Sequence, residues 1–283
     1  MYVLSYFRTE AEALHLAISD DGWHWKALSN NRPILDGSVK TKTLRDPFIM
    51  QAQDGQFHLF ASDGWQSLYI VHASSEDLLH WSDQEALPAM KEIEGARNAW
   101  APECFYDYEQ QLYRIIWSST VSVNGPPQLR DHRIWSMATR DFKTYTPAQM
   151  FLDPGYNVID ATVGHHADKY LIAFKDERGD HSQGTDFKAI RVCLSDKGIG
   201  PFGEISGLIS PCLVEGPTLF RAKDQWVMLY DHFMGHHYGA SVSADGLQWR
   251  IVTKEMTFPP EPRHGSVLEI PETLGARLRK LMG

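Results

Sequence analysis

The stretch "EGPTLF" at residues 215–220 is followed at 222–230 by "AKDQWVMLY". Two apolar runs on either side of a tight polar turn predict a pair of antiparallel strands. Glu215 stands at the head of the first run. An exposed turn would carry more polar residues there, and an ordinary core strand would not carry a carboxylate. The stretch therefore raises two questions, about the fold that repeats it and about the use of its acid.

Similar segments occur at four other places in the chain. They are "RDPFIM" (45–50), "WAPECF" (100–105), "IDATVG" (159–164) and "HGSVLE" (264–269), so that successive segments begin 55, 59, 56 and 49 residues apart. Later in each unit comes a turn with Ser or Thr, usually then Asp, then an aromatic residue, as in "SADGLQW" at 243–249. This period is slightly longer than that of common propeller repeats, and it indicates five units of about four strands.

The repeat predicts an all-β chain folded as a five-bladed β-propeller, with residues 1–283 forming one domain. The N-terminal runs "YVLSYF", "LHLAI" and "HWKAL" are expected to complete the last blade beside residues 266–270. Closing the ring in this way removes a long exposed sheet edge. The tail at 274–283 predicts a short capping helix. The alternative is an ordinary antiparallel sandwich with chance similarity between its strands.

Composition limits the classes of partner. The 283 residues carry a formal net charge of −9, which disfavours nucleic acid and anionic membranes as partners. Aromatic residues make up 12% of the chain, with nine Trp, and flat rings suit carbohydrate surfaces. The odd cysteine count gives no disulfide framework and fits a reducing compartment. No signal peptide or membrane-length segment is visible, so a cytoplasmic location is expected, or a secreted or periplasmic one if a leader was removed.

Propeller geometry brings three acids together. The first strand of each blade lines the central channel, so the heads of these strands should ring one opening. Asp46, Asp160 and Glu215 stand at such heads. Like charges placed close together, and apolar neighbours such as Val214 and Leu213, should raise the pKa of at least one carboxyl. A raised pKa suits a general acid that works near neutral pH.

The same face should carry substrate-binding side chains, because the long polar loops between second and third strands emerge there. The candidates are Arg45, Asp63, Trp65, Trp100, Arg178 and His232. Trp100 has an alternative place in the core, and His264 is either a buried histidine or a metal ligand. Glu103 lies deeper in its strand and is expected to be structural. The spacing of His232, His236 and His237 does not match a zinc site on a helix.

Taken in order, "RDPF", "WAPE", "IDATV", "EGP" and "HGSV" resemble glycoside hydrolase family 43 from about residue 45 to 268. The resemblance implies an inverting glycosidase, with Asp46 as general base, Glu215 as general acid and Asp160 as the residue that tunes and orients the acid. His264 matches a histidine near a channel metal ion, commonly calcium, and no organic cofactor is implied. The implied substrates are oligosaccharides or polysaccharides, mostly α-L-arabinofuranosides and β-D-xylosides. "IDATV" lacks the usual Pro after Asp.

Other functions stay open. A pocket closed by long loops favours exo action, and a galactofuranose or galactose unit is a further possible substrate. A lectin-like propeller would bind sugar without cleaving it, but would not need both an acid and a base. A phosphorylase would need a basic pocket, for which Arg130, Arg133 and Arg178 are candidates. A retaining fructan-acting clan shares "RDP" and "EC" (103–104), but nothing in residues 1–44 resembles its Asn-Asp-Pro nucleophile motif.

Overall fold

The computed structural model describes residues 1–121, 131–180, 185, 186 and 188–281. The strands are β1 Tyr2–Arg8, β2 Ala11–Ser19, β3 Lys26–Ala27, β4 Arg45–Gln51, β5 Phe57–Ser62, β6 Ile70–Ser75, β7 Glu85–Leu87, β8 Trp100–Asp107, β9 Leu112–Thr120, β10 His132–Thr139, β11 Gln149–Leu152, β12 Val158–His166, β13 Lys169–Asp176, β14 Gly179–Asp180, β15 Thr185–Asp186, β16 Ala189–Ser195, β17 Glu215–Ala222, β18 Gln225–His232, β19 His237–Ser243, β20 Arg250–Ile251 and β21 Arg263–Glu269. One α-helix, α1, spans Glu272–Arg279.

These strands form the predicted five-bladed propeller. The blades, in order, are β4–β7, β8–β11, β12-β13-β16, β17–β20, and β21-β1-β2-β3. Each inner strand contacts the next, from β4 through β8, β12 and β17 to β21, and β21 contacts β4 again. This closed ring excludes the sandwich. The N-terminal strands join β21 in the fifth blade as predicted, with Tyr2 opposite Glu269 and Ser5 opposite Ser266.

In four blades, a Ser/Thr–Asp turn connects the third strand to the fourth, and the same side-chain hydrogen bonds hold each of these turns. In the fourth blade, the Asp245 carboxylate accepts the N–H groups of Leu247 and Gln248, both at 2.8 Å, and the Ser243 hydroxyl accepts that of Gly246. Asp21, Asp77 and Asp141 accept the corresponding pairs of N–H groups in their own turns. Because the side chain satisfies otherwise unpaired backbone donors, the motif fixes the turn from local sequence alone.

The third blade differs from the other four. Three strands form its sheet among the described residues. The chain at 203–209 runs along β16 in place of a fourth strand, with N–H groups of Gly203, Ser206 and Ile209 bonded to carbonyls of β16. The turn "SDKGIGPF" has Lys197 where the other turns have Asp, so the side-chain acceptor that fixes those turns is missing here.

The core consists of an apolar cluster at each junction between blades. The cluster between the fifth and first blades includes Leu14, Leu16, Leu59 and Val71, all at most 1% exposed. Burying one such side chain stabilises a fold by about 1.5–3 kcal/mol, so the closing junction is held as the others are. Helix α1 contacts β2 and buries Leu278, which agrees with the predicted capping helix, although the helix begins at Glu272 and ends at Arg279. Residues 282 and 283 of the predicted cap lie outside the described residues. No described helix combines the length and the apolar character needed to cross a membrane.

Candidate active site

A β-bulge near the head of the inner strand forms the site in four blades. The register shifts between Arg45 and Phe48, and equivalent shifts occur in β8, β12 and β17. The second residue of each motif has a positive φ: Asp46 50°, Ala101 48°, Asp160 56° and Gly216 55°. A bulge re-aims side chains, and residues held in this strained region are common at functional sites. Asp160 keeps the conformation of Asp46, although Ala161 replaces the Pro that follows in the other three motifs.

A narrow pocket of about 70 Å³ lies at this end of the channel. Its lining is Arg45, Asp46, Ser62, Gly64, Trp65, Trp100, Ile159, Asp160, Glu215 and His264. Seven of these ten are residues singled out from the sequence, and these seven come from all five inner strands and one loop. The blades therefore bring together residues that are up to 219 positions apart in the chain.

Asp46 is held on the first blade. The Ser62 hydroxyl donates to Asp46 Oδ2 at 2.6 Å, and the same hydroxyl accepts the Ala101 N–H at 2.7 Å. His264 Nδ1 lies 3.6 Å from Asp46 Oδ1. One serine thus fixes the Asp46 carboxylate and the bulge of the next blade together.

Asp160 is the most buried of the three acids. Its Oδ2 accepts the Gly216 N–H at 3.1 Å and lies 4.0 Å from His264 Nδ1. Burial and, to a smaller extent, the charge of Glu215 raise the pKa of Asp160 to about 7 against the opposing effect of His264. The family resemblance implied that Asp160 tunes the acid. In the structure the charge of Glu215 contributes to the raised pKa of Asp160, and the tuning of Glu215 by Asp160 stays a prediction.

Glu215 lies between two cations. Lys175 Nζ is 2.9 Å from Glu215 Oε2, and Arg263 Nη2 is 3.2 Å from Oε1. Burial raises the pKa of Glu215, but Lys175 and Arg263 outweigh burial and the pKa is lowered overall. The expectation of a raised pKa was wrong for this residue. Val214 is buried beside it, but the carboxylate itself faces the charged ends of neighbouring strands.

Three charged residues near Glu215 were not predicted from the sequence: Lys175, Arg263 and Asp231. Asp231 is 0% exposed, binds Arg263 Nε at 2.6 Å and accepts the His264 N–H at 3.3 Å. Burial, only partly offset by Arg263, raises the pKa of Asp231 to about 6. Lys175 and Asp231 lie at the ends of second strands, paired with Ile159 and Glu215. Extending the repeat alignment from the first strands to the ends of the second strands would have found both.

The pocket rim is aromatic. Trp65 is 57% exposed, and Trp100 Nε1 donates to the Trp65 carbonyl at 2.9 Å. The two rings are perpendicular with centroids 5.5 Å apart, and the Arg45 guanidinium lies 4.6 Å from the Trp65 ring. Arg45 also forms an ion pair with Glu12. The rim offers a flat apolar face with polar groups beside it, which suits a sugar ring.

The other substrate-binding candidates lie outside this lining. The Asp63 carboxylate is 0% exposed and accepts the Thr41 N–H at 3.0 Å and the Ser67 hydroxyl at 2.6 Å, so it supports the loop rather than facing a ligand. Arg178 pairs with Asp176 at 2.7 Å. His232 stacks on His237 with centroids 4.6 Å apart. Arg130 lies outside the described residues.

The residues present do not fit a metal ion held by several protein ligands. Calcium takes six to eight oxygen ligands. His264 offers one imidazole, with its Nδ1 facing the carboxylates of Asp46 and Asp160. Within the described ranges, no three His, Cys, Asp or Glu side chains are arranged to bind a metal. We therefore assign no chemical step to calcium.

The sequence of the chain resembles those of known proteins. A family described as "Probable glycosyl hydrolase domain", related to glycoside hydrolase family 43, matches residues 1–273. The chain belongs to this family. This family-43-related domain is 27% identical over 186 residues to an α-L-arabinofuranosidase of Bifidobacterium longum subsp. longum. That match covers 56% of the chain and 18% of the relative, so the domain spans a small part of that enzyme's length.

Solved structures of low identity share the fold. A thermostable family-43 glycoside hydrolase superposes with a TM-score of 0.62 at 16% identity, covering 78% of each chain. An α-L-arabinofuranosidase from Clostridium thermocellum superposes with a TM-score of 0.61 at 14% identity, covering 86% of this chain and 83% of that one. At these identities the likeness supports the propeller fold alone.

Proposed function

We propose that this domain is an inverting, exo-acting glycoside hydrolase that removes a terminal pentose, α-L-arabinofuranose or β-D-xylose, from an oligosaccharide or polysaccharide. One observation carries the proposal: Asp46 and Glu215 line one narrow pocket from two blades separated by the strand of His264. Inversion needs two carboxyl groups about 6.5–9.5 Å apart, with room for a water between one of them and the sugar.

Asp46 is the proposed general base. The Ser62 hydroxyl holds one of its oxygens, and His264 lies beside the other. A carboxylate oriented in this way takes a proton from water as the water attacks the anomeric carbon. Ser62 is not itself a base here, because its hydroxyl already donates to Asp46.

Glu215 is the proposed general acid. Lys175 and Arg263 reduce the fraction of Glu215 that is protonated, but they also stabilise the carboxylate that forms as its proton moves to the leaving oxygen. The two cations therefore make Glu215 a stronger acid, but they also reduce the fraction of molecules in which it is protonated. Asp160 is the second candidate donor, because its raised pKa, about 7, makes it more readily protonated at neutral pH than an ordinary carboxyl.

Leaving-group dependence separates the two candidates. Glu215→Gln, Asp160→Asn and Asp46→Asn would each be assayed on a pentose-terminated oligosaccharide and on an aryl glycoside with an acidic phenol. General acid catalysis contributes about 10²–10⁴-fold, and an acidic phenol leaves without it. We expect Glu215→Gln to lose about that factor on the oligosaccharide and much less on the aryl glycoside.

The base variant gives the contrast, because Asp46→Asn should lose activity on both substrates. Exposed Glu92 supplies the control: Glu92→Gln should behave as wild type on both. If Asp160→Asn rather than Glu215→Gln keeps its activity on the aryl glycoside while losing it on the oligosaccharide, the acid is Asp160. Equal losses for Glu215→Gln on the two substrates would contradict its assignment as the acid.

The remaining activities are outcomes of the same screen. Turnover of galactosides or galactofuranosides in place of pentosides would change the substrate, and phosphate-dependent turnover would indicate a phosphorylase. Two of the arginines considered for a phosphate pocket are already paired, Arg133 with Asp131 and Asp153 and Arg178 with Asp176, so neither supports a phosphorylase. Sugar binding without turnover of any glycoside would leave a lectin-like module.

A further inference from the structure

A second cavity opens beside the pocket and shares its two indoles. It has a volume of about 380 Å³, and its lining is Trp65, Gln66, Leu68, Ala96, Arg97, Asn98, Trp100 and Thr120. We call it the Trp65–Arg97 groove. Binding sites for small molecules have volumes of about 300–1,000 Å³. The pocket, with about 70 Å³, is far smaller than this groove.

The walls of the groove are fixed in place. The Arg97 N–H donates to the Thr120 carbonyl at 3.0 Å, and the Ala99 N–H donates to the Ser67 carbonyl at 2.9 Å. The buried Asn98 side chain accepts the Thr120 N–H at 3.1 Å. These bonds join the loop before β8 to the loop after β5 and to the end of β9, so a ligand meets a preformed surface.

Two exposed polar side chains line the groove. Arg97 and Gln66 are exposed, and their side chains have no hydrogen-bond or ion-pair partner within the described ranges. Arg45 and Arg263, near the same pocket, are both paired with carboxylates. An unpaired guanidinium beside an exposed indole offers donors and a stacking face together, which is the pairing that a sugar with acceptor oxygens requires.

We propose that the Trp65–Arg97 groove is a second carbohydrate subsite. It holds the sugar adjacent to the one in the pocket, stacked on Trp65, with Arg97 and Gln66 donating to hydroxyl or carboxylate oxygens. This inference rests on the proposed function, since it extends the substrate of the same site. It commits the domain to oligosaccharides of at least two sugars as its preferred ligands.

Binding to the Glu215→Gln variant tests the groove without turnover. Calorimetry and Trp fluorescence would compare the monosaccharide, the disaccharide and the trisaccharide of arabinose and of xylose, together with a xylo-oligosaccharide bearing a uronate. We expect affinity to rise about tenfold or more from one sugar to two, and Arg97→Ala or Trp65→Ala to remove most of that gain. Trp65→Phe, which keeps a ring, should keep part of it.

The controls separate the groove from the proposed function. Lys91→Ala, on the same loop and exposed, should leave every affinity unchanged. A gain on the uronate-bearing ligand alone would assign a carboxylate to Arg97, and a gain on neutral ligands would assign a hydroxyl. Affinities that do not increase with the length of the oligosaccharide, or that Arg97→Ala and Trp65→Ala leave unchanged, would overturn the proposal that the groove is a subsite. If length-dependent binding is seen but no glycoside is hydrolysed by wild type, the proposed function fails and the groove stands.

Discussion

Replacing Lys175 by Met tests whether buried cations keep Glu215 ionised. Lys175 is 3% exposed, and its ammonium lies 2.9 Å from Glu215 and 2.5 Å from Glu177. Methionine keeps an unbranched apolar stem but removes the charge. At an effective dielectric constant of about 20, two unit charges separated as Lys175 and Glu215 are, by 2.9 Å, attract by about 6 kcal/mol. Loss of one partner of a buried pair costs about 3–5 kcal/mol, and since Arg263 remains we expect about 3 kcal/mol at pH 7.

The pH dependence gives the loss its signature. The pKa of Glu215 is lowered in the folded chain, so its contribution to stability is present above its unfolded value, about 4.3, and is lost as pH falls through the folded pKa. The pKa of Lys175 is raised despite its burial, by Glu215 and then Glu177, so its contribution is lost only at strongly basic pH. Urea unfolding of wild type and Lys175→Met should therefore differ more at pH 7 than at pH 4.

The chain offers a matched control for distance. Lys197 Nζ is also 2.9 Å from a carboxylate, that of Glu109, but both side chains are about half exposed. Exposed pairs contribute little, because water screens them. Lys197→Met should leave stability unchanged at every pH. An equal loss for Lys175→Met at pH 4 and pH 7 would refute the electrostatic account and leave only lost packing.

Four further outcomes are expected. Gly216→Ala should lower the free energy of unfolding by about 1–2 kcal/mol because of its positive φ. It should also reduce activity, because a Cβ there would lie 2.4 Å from His264 Cγ. Gly55→Ala, with a positive φ but open space around it, should lose stability only. Asp160→Asn should remove the limb of the pH–rate profile near pH 7, and an unchanged profile would make Asp160 structural. Burial and a neighbouring histidine lower the pKa of His72 to about 3. Stability should therefore fall by about 1.4 kcal/mol per pH unit as pH falls below about 6.5, because the unfolded chain binds the proton first. The unfolding free energy of His72→Leu should depend less steeply on pH. Prolonged chelation should leave activity and melting temperature unchanged, because the described residues offer no set of protein ligands for calcium, and a loss of either would support the calcium expectation instead.

The repeat in the sequence determined most of the fold. The spacing of five strand heads predicted the blade number, and the unpaired first and last segments predicted which strands close the ring. These features are local: each Ser/Thr–Asp turn satisfies its own backbone donors, and each apolar pair of runs forms one hairpin. The fourth strand of the third blade was less predictable. The turn there lacks the acceptor Asp, and the chain at 203–209 bonds to β16 without forming a regular strand.

The same repeat located the carboxylates but not their electrostatic state. Asp46, Asp160 and Glu215 occupy equivalent strand heads, and propeller closure alone brings such heads together. The pKa of Glu215 depends instead on Lys175 and Arg263, which lie 40 and 48 positions away in the chain. Neither pairing follows from a local pattern, because each depends on which side chains adjacent blades present at the channel.

The exposure of the substrate-binding candidates also depends on the tertiary structure. Trp65 and Asp63 are two residues apart in one polar loop, and the sequence gives no reason to treat them differently. Only the folded loop turns the indole outward and the carboxylate inward, where Thr41 and Ser67 bind it. The sequence determined which blades form and which acids head their strands. The tertiary structure decided which side chains face the pocket and in which direction the pKa of each acid shifts, because both depend on contacts between segments distant in the chain.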